Sequence, residues 1–231
     1  MLAATIVIAL ADRREMAEAG LLGAALGLGV AVTVAVSFAL AAAFLNAAFG
    51  FWSIVLRGFA DMQPDHVMCC FDVGRSFRAD RYEGYKATRK PTPDDLRDQF
   101  PIVRETLAAF GIPVYQMEGY EADDLIGTLV EHGRRLGRPS TIVSRDKDLT
   151  QLLMKDDVFW DFAGKGKLGY DHILDVFGVR PEQIADFLAL AGDSVDNIPG
   201  VPGVGKKTAA ALLAHFGTLD DIYANLDRIH E

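Results

Sequence analysis

Gly119-Tyr120-Glu121-Ala122-Asp123-Asp124 places three carboxylates within four residues. Glu121 and Asp124 are three apart, so on a helix they share one face with Asp123 beside them. Carboxylates that close raise one another's pKa unless a cation neutralises them. A plain reading is a solvated helix start, because acids favour the positive end of the helix dipole. The surrounding chain separates the two readings, because acids recur at the ends of predicted strands.

Upstream, His66-Val-Met-Cys-Cys-Phe71 is apolar and β-prone, and Asp72 follows it. Ile112 to Met117 reads as a short strand leading into the acidic stretch, whose helix runs to about Leu136. Thr141 to Ser144 is a further strand, followed by Asp146 and Asp148. Carboxylates at the C-terminal ends of strands lie where open α/β sheets meet ligands and metals. Gly192-Asp193-Ser-Val-Asp196-Asn197 forms a fourth acidic site, its acids again three apart.

The 231 residues carry 23 basic and 32 acidic side chains, a net charge of −9, and half are hydrophobic. This composition folds, and its overall charge argues against a nucleic-acid partner. The distribution says otherwise. Arg75, Arg78, Arg81, Lys86, Arg89 and Lys90 face only Asp80 and Glu83 in the stretch from 75 to 90. Tyr82 and Tyr85 interleave with them, a composition suited to backbone contact and base stacking on single strands. Acids for a metal beside bases for a phosphate backbone is the pairing a metal-dependent phosphate enzyme requires.

Thr92-Pro93-Asp94-Asp95 opens a helix whose apolar positions run from Leu96 to Phe110, with a kink expected at Pro101. Phe51 to Phe59 reads as a helix frayed at Gly58, and Val158 to Phe162 as a strand before a Gly/Lys loop, 164–169. Helices are expected over Tyr170 to Phe177 and from Pro181 through Leu190. Gly200-Val-Pro-Gly203-Val204-Gly205-Lys206-Lys207-Thr208 nearly fits a P-loop, but Lys207 stands where Ser or Thr is needed. Two helices joined by a Gly-rich hairpin fit better, with bare amides from Gly203 to Lys206 meeting a nucleic-acid phosphate.

The only cysteines, Cys69 and Cys70, are adjacent and on a strand would point to opposite faces. No disulfide or zinc framework exists, which fits a cytoplasmic setting. From Ala19 to Leu56 there is no charge, and Arg13 and Arg14 precede the run. Its length suits a membrane-spanning helix, while its β-branched centre suits a buried strand–helix pair.

Taken together, Phe71-Asp72, Phe77-Arg78, Tyr85-Lys86-Ala-Thr-Arg89, Gly119 to Asp124, Asp146-Lys-Asp148 and Leu190 to Gly205 resemble the 5′-nuclease (flap endonuclease-like) family. The resemblance is closest to the kind at the N-terminus of bacterial DNA polymerase I and runs from about Ala47 to the end. It implies a PIN-like α/β fold with a parallel-sheet core at 47–170 and a helix-hairpin-helix region at 171–231. It also implies divalent-metal hydrolysis of DNA near 5′ ends and flaps, with Mg²⁺ as the metal and Mn²⁺ as an alternative. Asp72, Glu121, Asp123 and Asp124 would hold one ion, and Asp146, Asp148, Asp193 and Asp196 a second. Lys86 and Arg89 resemble the arch residues that steer the 5′ strand and offset charge on the scissile phosphate. Arg78, Tyr82, Tyr85 and the stretch from Gly200 to Thr208 would contact DNA without reading its sequence.

The family opens with a strand ending in Asp-Gly, whereas here residues 1–46 are charge-poor and unlike it. Asp12 is a candidate stand-in for that first acid. The segment reads as foreign, from a shifted reading frame or start in GC-rich coding DNA. The family also continues with further helices where this chain stops. A catalytically impaired DNA-binding module and a membrane-tethered protein stand as the alternatives to an active nuclease.

Overall fold

The computed structural model describes residues 6–10, 46–162, 164 and 166–229. Asp12 and most of the charge-free run lie outside the described residues. A six-stranded sheet forms the centre, in the order β3-β2-β1-β4-β5-β6. The strands are β1 (Ile6–Leu10), β2 (His66–Cys70), β3 (Val114–Tyr115), β4 (Ser140–Val143), β5 (Val158–Asp161) and β6 (Gly166–Gly169). β3 runs parallel to β2, and β5 parallel to β4. β1 lies between β2 and β4 and is antiparallel to both. β2, β3, β4 and β5 therefore share one direction, and the sheet is parallel except for β1 and β6. The sequence of β6 reads as a Gly/Lys loop, but it pairs with β5 from Val158↔Gly169 to Asp161↔Gly166. Its glycine-bordered sequence carries little strand propensity, so pairing to β5 decides its conformation.

Helices cover both faces. α1 (Asn46–Met62), α2 (Arg78–Arg81), α3 (Asp94–Arg97), α4 (Gln99–Ala109) and α5 (Ala122–Arg135) precede α6 (Tyr170–Phe177), α7 (Ile184–Ala191), α8 (Lys206–Phe216) and α9 (Leu219–Ala224). On one face Phe51, Trp52 and Val55 of α1 and Val103 and Leu107 of α4 pack with Cys69, Val143 and Trp160. On the other, Ile126 and Val130 of α5 and the helices from α6 onward pack with Cys70, Ile142 and Phe159. Neighbouring strand residues thus feed opposite cores, the period of two that any strand imposes. Each fully buried Phe or Ile contributes about 1.5–3 kcal/mol relative to exposure. Cys69 and Cys70 are free and buried, and burial pushes both thiols up to about 12.

Three local expectations change. The helix predicted from Thr92 breaks at Asp98 into α3 and α4, so Pro101 falls in the first turn of α4, where its missing N–H costs nothing. Gly58 does not fray α1: it is buried, and a Cβ there would meet Met62 at 3.3 Å and Trp160 at 3.6 Å. The segment after Pro181 opens as a 3₁₀ turn, Pro181–Gln183, before α7 begins. Gln99, distant in sequence, accepts the Ala47 and Ala48 amides through Oε1 and so satisfies the start of α1. Among the described residues no helix is long and apolar enough to cross a membrane.

Candidate nuclease site

β2, β3 and β4 end at one rim of the sheet, and the chain turns acidic after each. Asp72 follows β2 and accepts the Ala122 amide at 2.6 Å, which ties the start of α5 to the end of β2. Glu121 is the N-cap of α5, in extended conformation. It therefore does not share a helical face with Asp124, contrary to the spacing argument. Its carboxylate instead turns toward the basic stretch, where Oε2 accepts Lys86 Nζ at 2.7 Å and the Tyr85 hydroxyl at 2.9 Å. Asp124 turns the other way. Arg78 donates to both of its oxygens at 2.7 Å, and the Glu121 amide donates to Oδ2 at 2.9 Å. That fork holds the Asp124 carboxyl below the usual range. Through this fork Asp124 tethers the basic stretch to the start of α5.

Asp123 is the unpaired member. Its Oδ1 is buried with no hydrogen-bond partner. Burial, then the charges of Asp146 and Asp72, push its carboxyl up to about 7. Past β4, the Asp146 amide donates to Ser144 Oγ at 2.9 Å, and Asp146 Oδ1 accepts the Asp148 amide at 3.1 Å. Asp148 is also pushed up to about 7, by burial and then by Asp146, Asp193 and Asp196. The Asp72 residue is exposed as a whole, yet lost hydration at its carboxyl raises its pKa despite the Ala122 amide. Two carboxylate groups emerge that share Asp146: Asp72, Glu121 and Asp123 on one side, Asp148, Asp193 and Asp196 on the other.

Asp193 and Asp196 reach the rim through a loop closed by Asp193↔Ile198 backbone bonds of 2.9 and 2.7 Å. Gly192 and Gly200 pack backbone to backbone beneath it, and a Cβ on Gly200 would lie 2.4 Å from the Gly192 nitrogen. The basic stretch is laced to this loop. Arg89 pairs with Asp196, Lys86 Nζ lies 3.8 Å from Asp196 Oδ2, and the Lys86 amide donates to the Asp196 carbonyl at 2.9 Å. Lys86 takes φ +55 to do so, and Asn197, at φ +57, donates to the Gly84 carbonyl at 2.7 Å. Left-handed backbone at a non-glycine residue costs energy and persists where its surroundings hold it. Asn197 escaped the sequence reading because its partner, Gly84, lies far away along the chain, and Ser144 because a serine ending a strand carries no signal of the turn it supports.

The hairpin follows. Val204 N–H donates to the Val201 carbonyl at 3.0 Å across Pro202 and Gly203, and Gly203 takes φ +83. Pro then Gly in those two places is what a type II turn demands. Gly205 caps α8 without a side chain, leaving Lys206, Lys207 and Thr208 exposed in its first turn. Val204 packs into the core beneath, and α7 lies against α8. Tyr82 stands exposed in the basic stretch.

Among the described residues no cluster of three or more acidic, His or Cys side chains is arranged to hold a metal ion as it stands. On the rim Lys86, Arg89 and Arg78 pair with Glu121, Asp196 and Asp124 as counter-charges. The orphaned Asp123 oxygen and the all-oxygen donor set fit a hard divalent cation.

An acidic rim on a mostly parallel sheet, followed by a glycine-turned helical hairpin, defines a resolvase-like α/β domain joined to a small helical one. The model for the 5′-3′ exonuclease N-terminal resolvase-like domain matches residues 39–177, and that for the 5′-3′ exonuclease C-terminal SAM fold matches 179–231. The chain belongs to the 5′-3′ exonuclease family. It is 43% identical over 191 residues to DNA polymerase I of Caldicellulosiruptor bescii and 42% identical over 190 to that of Bacillus caldotenax. Each alignment covers 80% of this chain and 22% of the relative, so the chain spans about a fifth of the length of the relatives it matches. A structure of T5 5′-exonuclease with bound zinc superposes with a TM-score of 0.67 at 25% identity, over 78% of this chain and 70% of that one.

Proposed function

We propose that this chain is a divalent-metal-dependent 5′-3′ exonuclease and 5′-flap endonuclease that hydrolyses DNA phosphodiesters. The observation that carries the reading is the pair of carboxylate groups sharing Asp146, one of them containing the buried, unpartnered oxygen of Asp123. Asp72, Glu121, Asp123 and Asp146 would hold one Mg²⁺, and Asp146, Asp148, Asp193 and Asp196 a second, with Mn²⁺ able to replace it. Bound there, two ions supply charge for an attacking water and a leaving oxygen. The zinc bound by T5 5′-exonuclease supports metal chemistry on this fold.

The protein's own groups do the rest. Lys86 and Arg89, already seated on the acids, exchange carboxylate for phosphate and orient the scissile group. Arg78, Tyr82 and Tyr85 line the approach of the 5′ strand. Gly200, Gly203, Val204, Gly205, Lys206, Lys207 and Thr208 grip the duplex backbone through amides and charge, without sequence readout. Two free, buried cysteines support a reducing, cytoplasmic setting.

A second reading rests on one observation. β1 enters the sheet centre antiparallel, beginning opposite Cys70 and leaving opposite His66 and Ser140. Its C-terminal end therefore faces away from the acidic rim, and among the described residues this strand brings no carboxylate there. That favours a structure-specific DNA-binding module with impaired catalysis. Cleavage of a 5′-flapped duplex, with Mg²⁺ and with chelator, separates the two. Mg²⁺-dependent product establishes the nuclease; retention of the flap without product establishes the binding module.

A further inference from the structure

Beside the acidic rim stands a feature that no part of this chemistry uses. Met117-Glu-Gly119-Tyr120 forms a turn in which the Tyr120 amide donates to the Met117 carbonyl at 3.2 Å. Gly119 takes φ +81, the conformation a type II turn needs at that place. The Gly119 carbonyl then accepts the Phe77 amide at 2.8 Å, so one glycine both aims Tyr120 and pins Phe77. The two rings meet edge to face, centroids 5.7 Å apart at 62°. Arg78 and Arg81 place their guanidinium carbons 4.8 and 5.4 Å from the Phe77 ring. Tyr120 remains 47% exposed although its neighbour Glu121 is buried at the site.

We propose that the Phe77–Tyr120 pair is a stacking platform for an unpaired nucleobase of the 5′ strand, resting on the DNA-nuclease reading above. An exposed ring, backed by a second ring and flanked by Arg78 and Arg81, fits a base with its phosphate. Stacking of this kind tolerates any base, because every base has a face. The platform adjoins Glu121 directly along the chain, so a strand whose phosphate is held at the acids passes it. Its task is to keep the strand unpaired and in register as it enters, which makes Phe77 and Tyr120 positioning residues and not catalytic ones.

The test is binding of 5′-flapped duplexes to the full chain in chelator, read by fluorescence anisotropy, with one abasic nucleotide moved along the single-stranded arm. Wild type should bind one abasic position roughly five- to a hundredfold more weakly than the intact flap. Tyr120→Leu, which keeps apolar bulk against Phe77, should lose affinity for the intact flap by the same factor and be indifferent to that abasic position. Tyr120→Trp should restore discrimination and show indole quenching on binding. Equal losses at every base position for wild type and Tyr120→Leu would overturn the platform while leaving the nuclease reading in place. Failure of wild type to bind any flapped duplex would sink both.

Discussion

Lys86 Nζ lies 2.7 Å from Glu121 Oε2, while the Lys86 amide donates to the Asp196 carbonyl from a left-handed backbone. One residue thus joins the basic stretch to both acidic groups. Lys86→Met removes the counter-charge from a carboxylate that is nearly buried. We expect a loss of about 1–3 kcal/mol in metal-free stability by chemical denaturation. Single-turnover cleavage should fall at least tenfold. A variant as stable and as active as wild type would show that the contact is incidental.

The Arg78–Asp124 fork separates tether from ligand. Asp124→Asn should weaken flap binding and lower stability by about 1–3 kcal/mol, because one charged fork is lost. Its titration with Mg²⁺ or Mn²⁺ should match wild type. Asp146→Ala, at the acid both groups share, should abolish metal binding and cleavage while flap binding in chelator survives. Calorimetric titration of the two variants decides the assignment, and normal cutting by Asp146→Ala would refute it.

Asp123 predicts a pH dependence. Its carboxyl is raised to about 7 in the fold against an ordinary value near 4, so the folded protein holds a proton that the unfolded chain releases. A raised acid destabilises the fold progressively as pH rises from about 4 to about 7. Asp123→Asn removes that penalty. In chelator, the stability difference between Asp123→Asn and wild type should therefore grow in favour of the variant across that window and level off above it. Melting temperatures at intervals from pH 4.5 to 8 measure it, and a constant difference would contradict the burial of that carboxyl.

Glycines at 200 and 205 should behave oppositely. A methyl on Gly200 would strike the backbone of Gly192 at 2.4 Å, with no side chain able to move aside. Gly200→Ala should unfold earlier by several degrees and lose cleavage, because Asp193 and Asp196 leave the rim. Gly205→Ala meets nothing within 4 Å and needs no left-handed backbone, so it should melt with wild type. Thermal melts of the pair suffice.

Much of this site is legible in the sequence. Asp72, Asp123, Asp146 and Asp148 follow strands of strong apolar pattern, and an open sheet whose strands share a direction must bring such ends to one rim. Cys69 and Cys70 feed opposite cores because strand periodicity allows nothing else. Gly203 and Pro202 prescribe their own turn. These are local properties, set by sterics within a few residues.

What local chemistry could not decide was partnership. Glu121 and Asp124 share a helical face in any spacing rule, yet one became an N-cap facing Lys86 and the other the acceptor of Arg78, 46 residues away. Asn197, Gln99 and the Phe77–Tyr120 pair owe their roles to contacts between segments far apart in sequence. The direction of β1 belongs to the same class, because five apolar residues pair equally well either way round. The chain by itself determined which chemistry stands at the rim: hard oxygen donors beside bases. Only the tertiary structure decided which acid each cation takes, since charges choose partners by distance in space, and that distance is set by packing.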